Sequence, residues 1–403
     1  MKIVLGRVHQ MRGLNGGMEN VCARMANEMI KRGHDVTVIS DDPDGGMMYF
    51  QYDESTHFVN LADYGEEKAP VRQALFKVMR ELARPVSKGA AMSWKNRGRA
   101  LRMRGSIQRA LEEANPDVIV SFEASSSALF LDAMGKNHLP LVTMFHFPTA
   151  MAVNWDDPQE RQALLDSDVV QVLMNADIDS LKKRLPKARA FRIPNAVPQY
   201  SKEADPGKER TRHTIIDVAR LTREQKQPHV LITAFSLLAK EFPDWDLEFW
   251  GVDPGDGSYQ KYLSDLVGKL GLNDRVFFRG VTTDVLSVYL NSDIFAIPSS
   301  FEGFGLAMTE AMSAGLPAVG FKSCDAVNEI IRDEVSGFLT DDGPEAYAEA
   351  LRKLMADPML RKKMGHAAKL EMEEFSPERV WDEWEKLLSK LVQNKKPRIA
   401  IIS

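Results

Sequence analysis

The sequence predicts an α/β protein with two Rossmann-like, doubly wound domains that face a central cleft. Short apolar runs alternate with amphipathic helical patterns, which is typical of parallel sheets covered by helices. The alternation restarts near residue 214 after a helix-poor stretch, and 403 residues are too many for one hydrophobic core. Because open α/β sheets bind ligands at the carboxyl ends of their strands, one shared site is expected in the cleft.

The N-terminal domain is predicted over residues 1–198. Its predicted elements are the strand Lys2–Leu5, a helix over about residues 18–32, and the strands Val36–Ile39, Val118–Ser121 and Leu141–Phe145. The helix carries apolar residues at spacings of three and four, and Gly33 ends it as a left-handed cap. A strand, a helix and a strand in this order imply a parallel pair with a right-handed crossover.

The C-terminal domain is predicted over residues 199–375, after a hinge at Ile193–Pro198. Its predicted strands are Thr214–Val218, Leu247–Trp250, Val276–Phe278, Ile294–Ile297 and Ala318–Gly320, and its predicted helices include Val230–Lys240 and Tyr259–Leu270. A last helix over residues 376–395 begins with a capping serine and a proline and is expected to pack back on the N-terminal domain. The apolar tail within 396–403 suggests the start of a further domain or the continuation of a longer polypeptide.

Composition disfavours several classes of protein. A formal net charge of −5 argues against a nucleic-acid binder. Two cysteines are too few for a disulfide framework and suit a reducing cytosol, and no Cys and His pair has metal-ligand spacing. No run approaches 18 apolar residues, and the chain opens with a strand-like stretch, so neither a transmembrane span nor a secretory signal is expected. The predicted location is cytoplasmic, with no metal and no cofactor.

The most specific motif contains two glutamates, Glu302 and Glu310, with seven residues between them. A helix is predicted to start near Gly305, and the free amides of Phe304, Gly305 and Leu306 would form an anion site suited to a diphosphate. Helical rise would place the two carboxylates about 12 Å apart. They could then hold the hexose hydroxyls and the ribose diol of a nucleotide sugar. The alternative is an exposed acid before a helix and a surface acid within it.

Two cations, Arg220 and Lys226, follow a predicted strand end. A planar guanidinium and an ammonium would neutralise a diphosphate leaving group without a metal ion. The alternative is a solvated loop, with Lys226 and the neighbouring Arg223 facing water.

Further candidates lie in the N-terminal domain. Gly16 and Gly17 precede the first helix and lack the G-x-G-x-x-G spacing, but adjacent glycines let the backbone approach a phosphate or a sugar closely. A plain tight turn is the alternative. His146 follows a predicted strand and is a candidate for contacting the transferred sugar or the acceptor, with a structural histidine as the alternative. Glu123 also follows a strand end.

Together, these motifs resemble the retaining glycosyltransferases of family 4, which have the two-Rossmann GT-B fold. The resemblance covers roughly residues 1–390 and also includes Ile193–Val197, Ala314–Val319, Asn328–Ile330 and Ser336–Leu339. It implies a role for each candidate: the donor sugar is held at Glu302, the ribose at Glu310, the diphosphate at Arg220 and Lys226 and beside Gly16-Gly17, and the reacting sugar at His146. It also implies metal-independent transfer with retention. Three positions depart from the family's usual glycine, namely Ala196, Ala219 and Gln227.

Residues 71–110 carry eleven Lys or Arg and one acid, Glu81. Residues 71–82 place Ala74, Leu75, Val78, Met79 and Leu82 on one helical side, a basic amphipathic pattern that anionic membranes attract. The alternative is a helical hairpin whose apolar side packs on its own domain.

The predicted function is transfer of a hexose from a nucleotide diphosphate sugar, with UDP favoured, to a glycan or lipid-linked glycan in cell-surface polysaccharide synthesis. The predicted partners are that donor, that acceptor and an anionic membrane surface, with no nucleic acid. A nucleotide-sugar epimerase, a phosphorylase-type enzyme or a catalytically silent glycan-binding protein remains the alternative.

Overall fold

The computed structural model describes residues 1–66 and 70–395, so the apolar tail at 396–403 lies outside the described residues. The chain forms two compact units. One comprises Met1–Pro194 and the chain from Val380 onward, and the other comprises Asn195–Arg379. Each unit contains one parallel sheet with helices between its strands, and the predicted class of two Rossmann-like α/β domains is confirmed.

The first unit has a seven-stranded sheet in the order β3-β2-β1-β4-β5-β6-β7, and all of its neighbouring strands are parallel. The strands are β1 Lys2–Gly6, β2 Asp35–Ser40, β3 His57–Asn60, β4 Val118–Ser121, β5 Leu141–Met144, β6 Val169–Val172 and β7 Ala190–Arg192. The helices are α1 Gly17–Lys31, α2 Pro70–Ala83, α3 Lys88–Ala114, α4 Ala124–Met134, α5 Thr149–Ala152, α6 Pro158–Asp166 and α7 Asn175–Arg184. Strand order reverses between β1 and β4, which places the ligand crevice of this sheet beyond their carboxyl ends.

The second unit has a six-stranded parallel sheet in the order β10-β9-β8-β11-β12-β13. The strands are β8 His213–Val218, β9 Trp245–Trp250, β10 Val276–Gly280, β11 Ile294–Ile297, β12 Ala318–Phe321 and β13 Gly337–Thr340. The helices are α8 Pro228–Ser236, α9 Ser258–Lys269, α10 Val285–Leu290, α11 Leu306–Ser313, α12 Asp325–Ile330, α13 Pro344–Ala356 and α14 Pro358–Glu371. Here the order reverses between β8 and β11.

The last helix, α15 (Pro377–Lys395), belongs mainly to the first unit. Its apolar stripe, which includes Trp381 and Trp384, is buried. The Arg32 guanidinium, just beyond the end of α1, donates to the carboxylates of Asp382 at 2.6 Å and Glu385 at 3.0 Å. Three ion-paired side chains and a buried stripe hold the helix in place.

The central strands are buried on both faces, which explains their apolar runs. All four residues of β4, β5, β6, β11 and β12 are buried. Strand β6 contains a polar exception, Gln171, whose buried amide donates to the Ile193 carbonyl at 2.5 Å. That hydrogen bond satisfies the donor that burial would otherwise leave unpaired.

Candidate functional site

In the second unit, two loops meet at the point where strand order reverses. The loop after β8 carries Lys226, and the loop after β11 carries Glu302. The Ser300 backbone N–H donates to the Gln225 carbonyl at 2.8 Å, and the Ser300 hydroxyl donates to the Glu224 carbonyl at 2.5 Å. These bonds join residues 75 and 76 positions apart and bring the two loops together.

Lys226 and Glu302 form an ion pair. The Lys226 Nζ lies 2.5 Å from the Glu302 Oε1, and the two side chains are only 17% and 7% exposed. A carboxylate this deeply buried needs a cation or several hydrogen bonds to remain ionised. The alternative of a solvated lysine and an exposed acid is therefore wrong for both residues.

A third charge-bearing residue, Asp217, lies behind this pair on β8 and is 3% exposed. Burial raises the pKa of its carboxyl to about 7, the Lys226 charge lowers it, and the Glu302 charge raises it further. The thiol of Cys324 is also near, and burial raises its pKa to about 12, while Lys226 lowers it and Glu302 raises it by their charges. One ammonium thus faces two carboxyl groups in a buried setting.

Glu310 lies on α11 and is 8% exposed, so it is not a surface acid. The helix begins at Leu306, and Glu302 stands in the loop before it. The expectation that helical rise sets the distance between the two carboxylates was wrong, because only one of them is on the helix. Gly305 caps the helix at a φ of +77°, a left-handed conformation that glycine adopts without strain.

The residues of the predicted anion site stand at the N-terminal end of α11, which begins at Leu306. The Phe304 side chain is buried and packs edge-on against Phe375, with ring centroids 5.4 Å apart. The main chain of Phe304, Gly305 and Leu306 forms the turn into the helix, and the packed Phe304 ring holds this turn in place. The first amides of a helix have no partner within the helix.

Of the two predicted cations, Arg220 is exposed. Its loop is fixed by bonds from the Ala219 and Leu221 N–H groups to the carbonyls of Trp250 at 3.0 Å and Val252 at 2.9 Å. The neighbouring Arg223 stacks over the rings of Tyr259 and Tyr262 at 4.9 and 4.2 Å rather than simply facing water. Arg220 and Arg223 are thus both exposed, and only Arg223 of the two stacks on these rings.

Gln227, which stands where the family often has glycine, has a φ of +48°. It is the residue before α8. The left-handed conformation costs a residue with a Cβ roughly 1–2 kcal/mol, whereas glycine adopts it freely. Gln227 therefore adopts a conformation that a glycine would adopt without this cost.

In the first unit, charged side chains cluster beyond β1 and β4. Arg7 forms an ion pair with Glu19 and lies 3.9 Å from Glu123, measured from Nε to Oε2. His9 Nε2 lies 3.1 Å from the other oxygen of Glu123. The Arg99 guanidinium, from α3, donates to the Val8 carbonyl and lies 3.1 Å from His9 Nε2.

His146 follows β5 in the same unit. Its ring stacks on Phe122 with centroids 5.2 Å apart, and its buried Nε2 has no hydrogen-bond partner among the described residues. Burial and the charge of Arg7 lower its pKa to about 3. The imidazole is therefore neutral near pH 7. The Thr149 N–H and hydroxyl, which donate to Asp177 at 2.7 and 2.9 Å, fix the loop that carries it.

Gly16 and Gly17 begin α1, and the Glu19 carboxylate lies against Gly16. A Cβ at residue 16 would come within 2.4 Å of the Glu19 Oε2. A side chain at residue 16 would therefore require the Glu19 carboxylate to shift from the first turn of α1, where a negative charge complements the helix dipole.

Sequence reasoning missed five residues of these two edges: Arg7, His9, Glu19, Arg99 and Asp217. Arg7 and His9 follow directly after β1, a position that marks candidates in a parallel sheet. Arg99 had no such signal, because it comes from the middle of a helix distant in sequence.

Among the described residues, no group of three or more His, Cys, Asp or Glu side chains could hold a metal ion. Within residues 1–66 and 70–395, none of the helices combines the length and the apolar character needed to cross a bilayer.

Comparison with known proteins identifies the family of the chain. The model described as Glycosyltransferase Family 4 matches residues 15–199, and the model described as Glycosyl transferases group 1 matches residues 200–371. An exopolysaccharide phosphotransferase of Streptomyces coelicolor is 28% identical over 387 residues, which are 94% of this chain and 40% of that protein. The chain thus spans about two fifths of that relative's length. An uncharacterized glycosyltransferase of Haemophilus influenzae is 27% identical over 93% of this chain and 97% of its own length.

Solved structures show the same fold at low identity. Sucrose-phosphate synthase of Thermosynechococcus elongatus is 17% identical and has a TM-score of 0.75, with 97% of this chain and 99% of that one covered. A TarM variant of S. aureus, in complex with fondaparinux, α-GlcNAc-glycerol and UDP, is 15% identical and has a TM-score of 0.72, covering 96% and 100%. The protein is a glycosyltransferase of the GT-B type, and it belongs to glycosyltransferase family 4.

Proposed function

We propose that this protein is a retaining glycosyltransferase that transfers a hexose from UDP-hexose to a glycan or lipid-linked glycan in polysaccharide synthesis. The observation that carries the proposal is the buried Lys226–Glu302 pair at the reversal of strand order in the second unit. Such a pair is not needed for the stability of the fold, because two apolar residues of the same volume are often as stabilising. A buried charge pair at a ligand edge is typical of a functional site.

In the proposed reaction the donor's diphosphate binds at Lys226, Arg220 and the first amides of α11. The bond between the sugar's C1 and the diphosphate oxygen breaks, and the acceptor oxygen bonds to C1 on the same face. The acceptor's proton passes to the departing diphosphate, so no protein base is consumed. Lys226 and Arg220 offset the charge that develops on the leaving group, which a metal ion does in other transferases.

Glu302, freed from Lys226 when the diphosphate takes that ammonium, accepts hydrogen bonds from the donor sugar. Glu310 binds the ribose diol. In the first unit, the neutral His146 offers its unpartnered Nε2 to a sugar hydroxyl. The choice of UDP and of a glycan acceptor is supported by TarM, whose structure holds UDP and a GlcNAc-glycerol, and by the exopolysaccharide in the Streptomyces relative's name.

Peripheral attachment to an anionic membrane is part of the proposal. No residue of α2 is buried, and Val71, Leu75, Val78 and Leu82 are between 55% and 81% exposed. These residues recur at spacings of three and four and so form one apolar row on the helix. The row does not pack on its own unit, which favours a surface that interacts with lipid.

The test is incubation of the full chain with a panel of nucleotide sugars, with and without EDTA, and detection of released nucleoside diphosphate. UDP release that EDTA leaves unchanged is expected. Glu302→Ala and Lys226→Ala should lower turnover by orders of magnitude, and Glu310→Ala should act mainly through donor affinity. Conversion of the sugar without nucleotide release would indicate an epimerase, and phosphate-dependent release from a glycan would indicate a phosphorylase.

A further inference from the structure

Asp217 is an acid within the hydrophobic core of the second unit. It stands on β8 in register with Phe249 of β9, and Ile215, two residues earlier, lies on the same face of the strand. Ile215 and Phe249 both belong to the apolar core cluster of this unit. Asp217 is only 3% exposed. Because burial of an unpaired carboxylate is costly, an acid at this position does not serve the stability of the core.

The cation that acts on this carboxyl, Lys226, is already paired with a second acid. Burial, the largest cause, raises the pKa of Asp217 to about 7, the charge of Lys226 lowers it, and the charge of Glu302 raises it. The Lys226 Nζ lies 2.5 Å from the Glu302 Oε1. The ammonium therefore balances one carboxylate, and ionisation of Asp217 would leave a net negative charge among these three buried groups.

Two further titratable groups of this region are neutral. Tyr347, on α13, donates its hydroxyl to the Val319 carbonyl at 2.5 Å, and burial together with the charge of Asp217 raises its pKa well above the usual value. Cys324, after β12, has a thiol whose pKa burial raises to about 12. Neither group carries a charge near pH 7, so neither offsets the charge of an ionised Asp217.

The charged side chains of the elements packed against β8 do not face Asp217. Glu248 and Asp246 alternate with the core residues of β9 and so lie on its other face, where each pairs with an arginine. Strand β11 is apolar throughout, and His229 of α8 has its Nδ1 2.8 Å from the Tyr259 hydroxyl. The charged residues of α13 lie at the surface or pair with one another, namely Glu345, Glu349, Arg352 and Lys353.

A bound diphosphate would change the charge balance around Asp217. In the proposed function the diphosphate takes the Lys226 ammonium and frees Glu302, so two anionic groups then face one buried cation. An ionised Asp217 would add a further negative charge, whereas a protonated Asp217 adds none. Since a nearby negative charge favours the protonated form of a carboxyl, bound donor should increase the proton occupancy of Asp217.

We propose that Asp217 is a positioning residue that takes up a proton from solvent when the donor's diphosphate binds, and so leaves the Lys226 ammonium to the diphosphate. This inference rests on the proposed function, which assigns the diphosphate to Lys226. It makes donor affinity dependent on pH. The affinity is highest below about pH 7 and falls at higher pH, where Asp217 of the free protein is ionised and must be protonated for binding.

The probe is UDP, titrated calorimetrically into the full chain. At pH 7.5, the heat of binding in buffers of different ionisation enthalpy gives the number of protons taken up per UDP. The wild type should take up about 0.7 proton more than Asp217→Asn, whose amide has the shape of a protonated carboxyl and does not ionise. Asp217→Leu, which suits an apolar core, is a second neutral variant and should give the same proton number as D217N.

Affinity gives a second readout that a merely structural role would not produce. Between pH 7 and 8.5 the affinity of the wild type for UDP should fall about tenfold or more, and that of D217N less than about twofold. D217N should therefore bind UDP more tightly than the wild type at pH 8.5. Glu248→Gln, the matched control, removes an acid from the other face of the neighbouring strand and should keep the wild-type proton uptake.

The outcomes separate this inference from the proposed function. Equal proton uptake in the wild type and D217N, or weaker UDP binding by D217N at pH 8.5, would overturn the inference and leave UDP binding as support for the proposed function. Loss of proton uptake in E248Q would assign the proton to the general charge of the unit and would also overturn the inference. Absence of UDP binding in the wild type at pH 6.5 would overturn both, because the inference requires the diphosphate at Lys226.

Discussion

Removal of the Lys226 ammonium should destabilise the second unit far more than removal of an exposed lysine. At 2.5 Å and an effective dielectric constant of about 20, the attraction between the two charges is about 7 kcal/mol before desolvation. Truncation of one partner of a buried pair typically costs about 3–5 kcal/mol, since the other charge stays buried and unpaired. We therefore expect Lys226→Met to lower the free energy of unfolding of this unit by at least about 3 kcal/mol.

The double variant K226M/E302Q has neither charge and should be less destabilised than K226M alone. The assay is native-state hydrogen–deuterium exchange of peptides from β8 and β11, which reports the opening free energy of this unit. Lys261→Met is the matched control, because its partner Asp265 lies at 2.7 Å while the two side chains are 74% and 65% exposed. The control should change stability by less than about 1 kcal/mol. Equal effects of K226M and K261M, or additive losses in the double variant, would refute the reasoning.

Three further outcomes are expected. Burial raises the pKa of Asp217 to about 7. The stability that its protonated form contributes is therefore present below about pH 4 and is lost as the pH rises through 7. Relative to Asp217→Asn, the free energy of unfolding of the wild type should fall by about 4 kcal/mol by pH 8, measured by urea unfolding across this range. Because the pKa of His146 is lowered to about 3, His146→Asn should reduce turnover without altering the shape of the pH–rate profile between pH 5 and 8. Gln227→Gly should raise the stability of the second unit by about 1 kcal/mol, seen as a higher melting temperature, because the φ of +48° suits glycine.

Much of the fold follows from local patterns, and the exceptions share a physical cause. The central strands were predictable because burial on both faces requires continuous apolar runs. The edge strands β3 and β7 were not predicted, since they have exposed residues and no such run. Strand β6 was not predicted because the polar Gln171 interrupts its apolar run. Gln171 can be buried because its amide donates to the carbonyl of Ile193, 22 positions later in the chain.

In the candidate site, too, local positions were predictable, whereas contacts between residues distant in sequence were not. Glu302 and Lys226 were predictable because each follows a strand at the reversal of strand order. That they contact each other could not be predicted, because their contact depends on the loop bonds of Ser300 to residues about 75 positions away. Asp217 was visible as a polar residue in an apolar strand, but its raised pKa arises only from burial and from the two neighbouring charges.

Helix α2 shows why an amphipathic pattern alone does not tell which face is buried. Met79 was expected to share one apolar side with Leu75 and Val78, but the helix has two apolar faces. Phe76 and Met79 are partly covered on the first face, whereas Leu75 and Val78 are exposed on the second. Packing against α3 uses the first face, as the contact between Phe76 and Trp94 shows. An exposed apolar row on a basic helix does not stabilise an isolated domain, since its side chains remain in water. Burial of that row therefore needs a second surface, which the proposed function assigns to lipid.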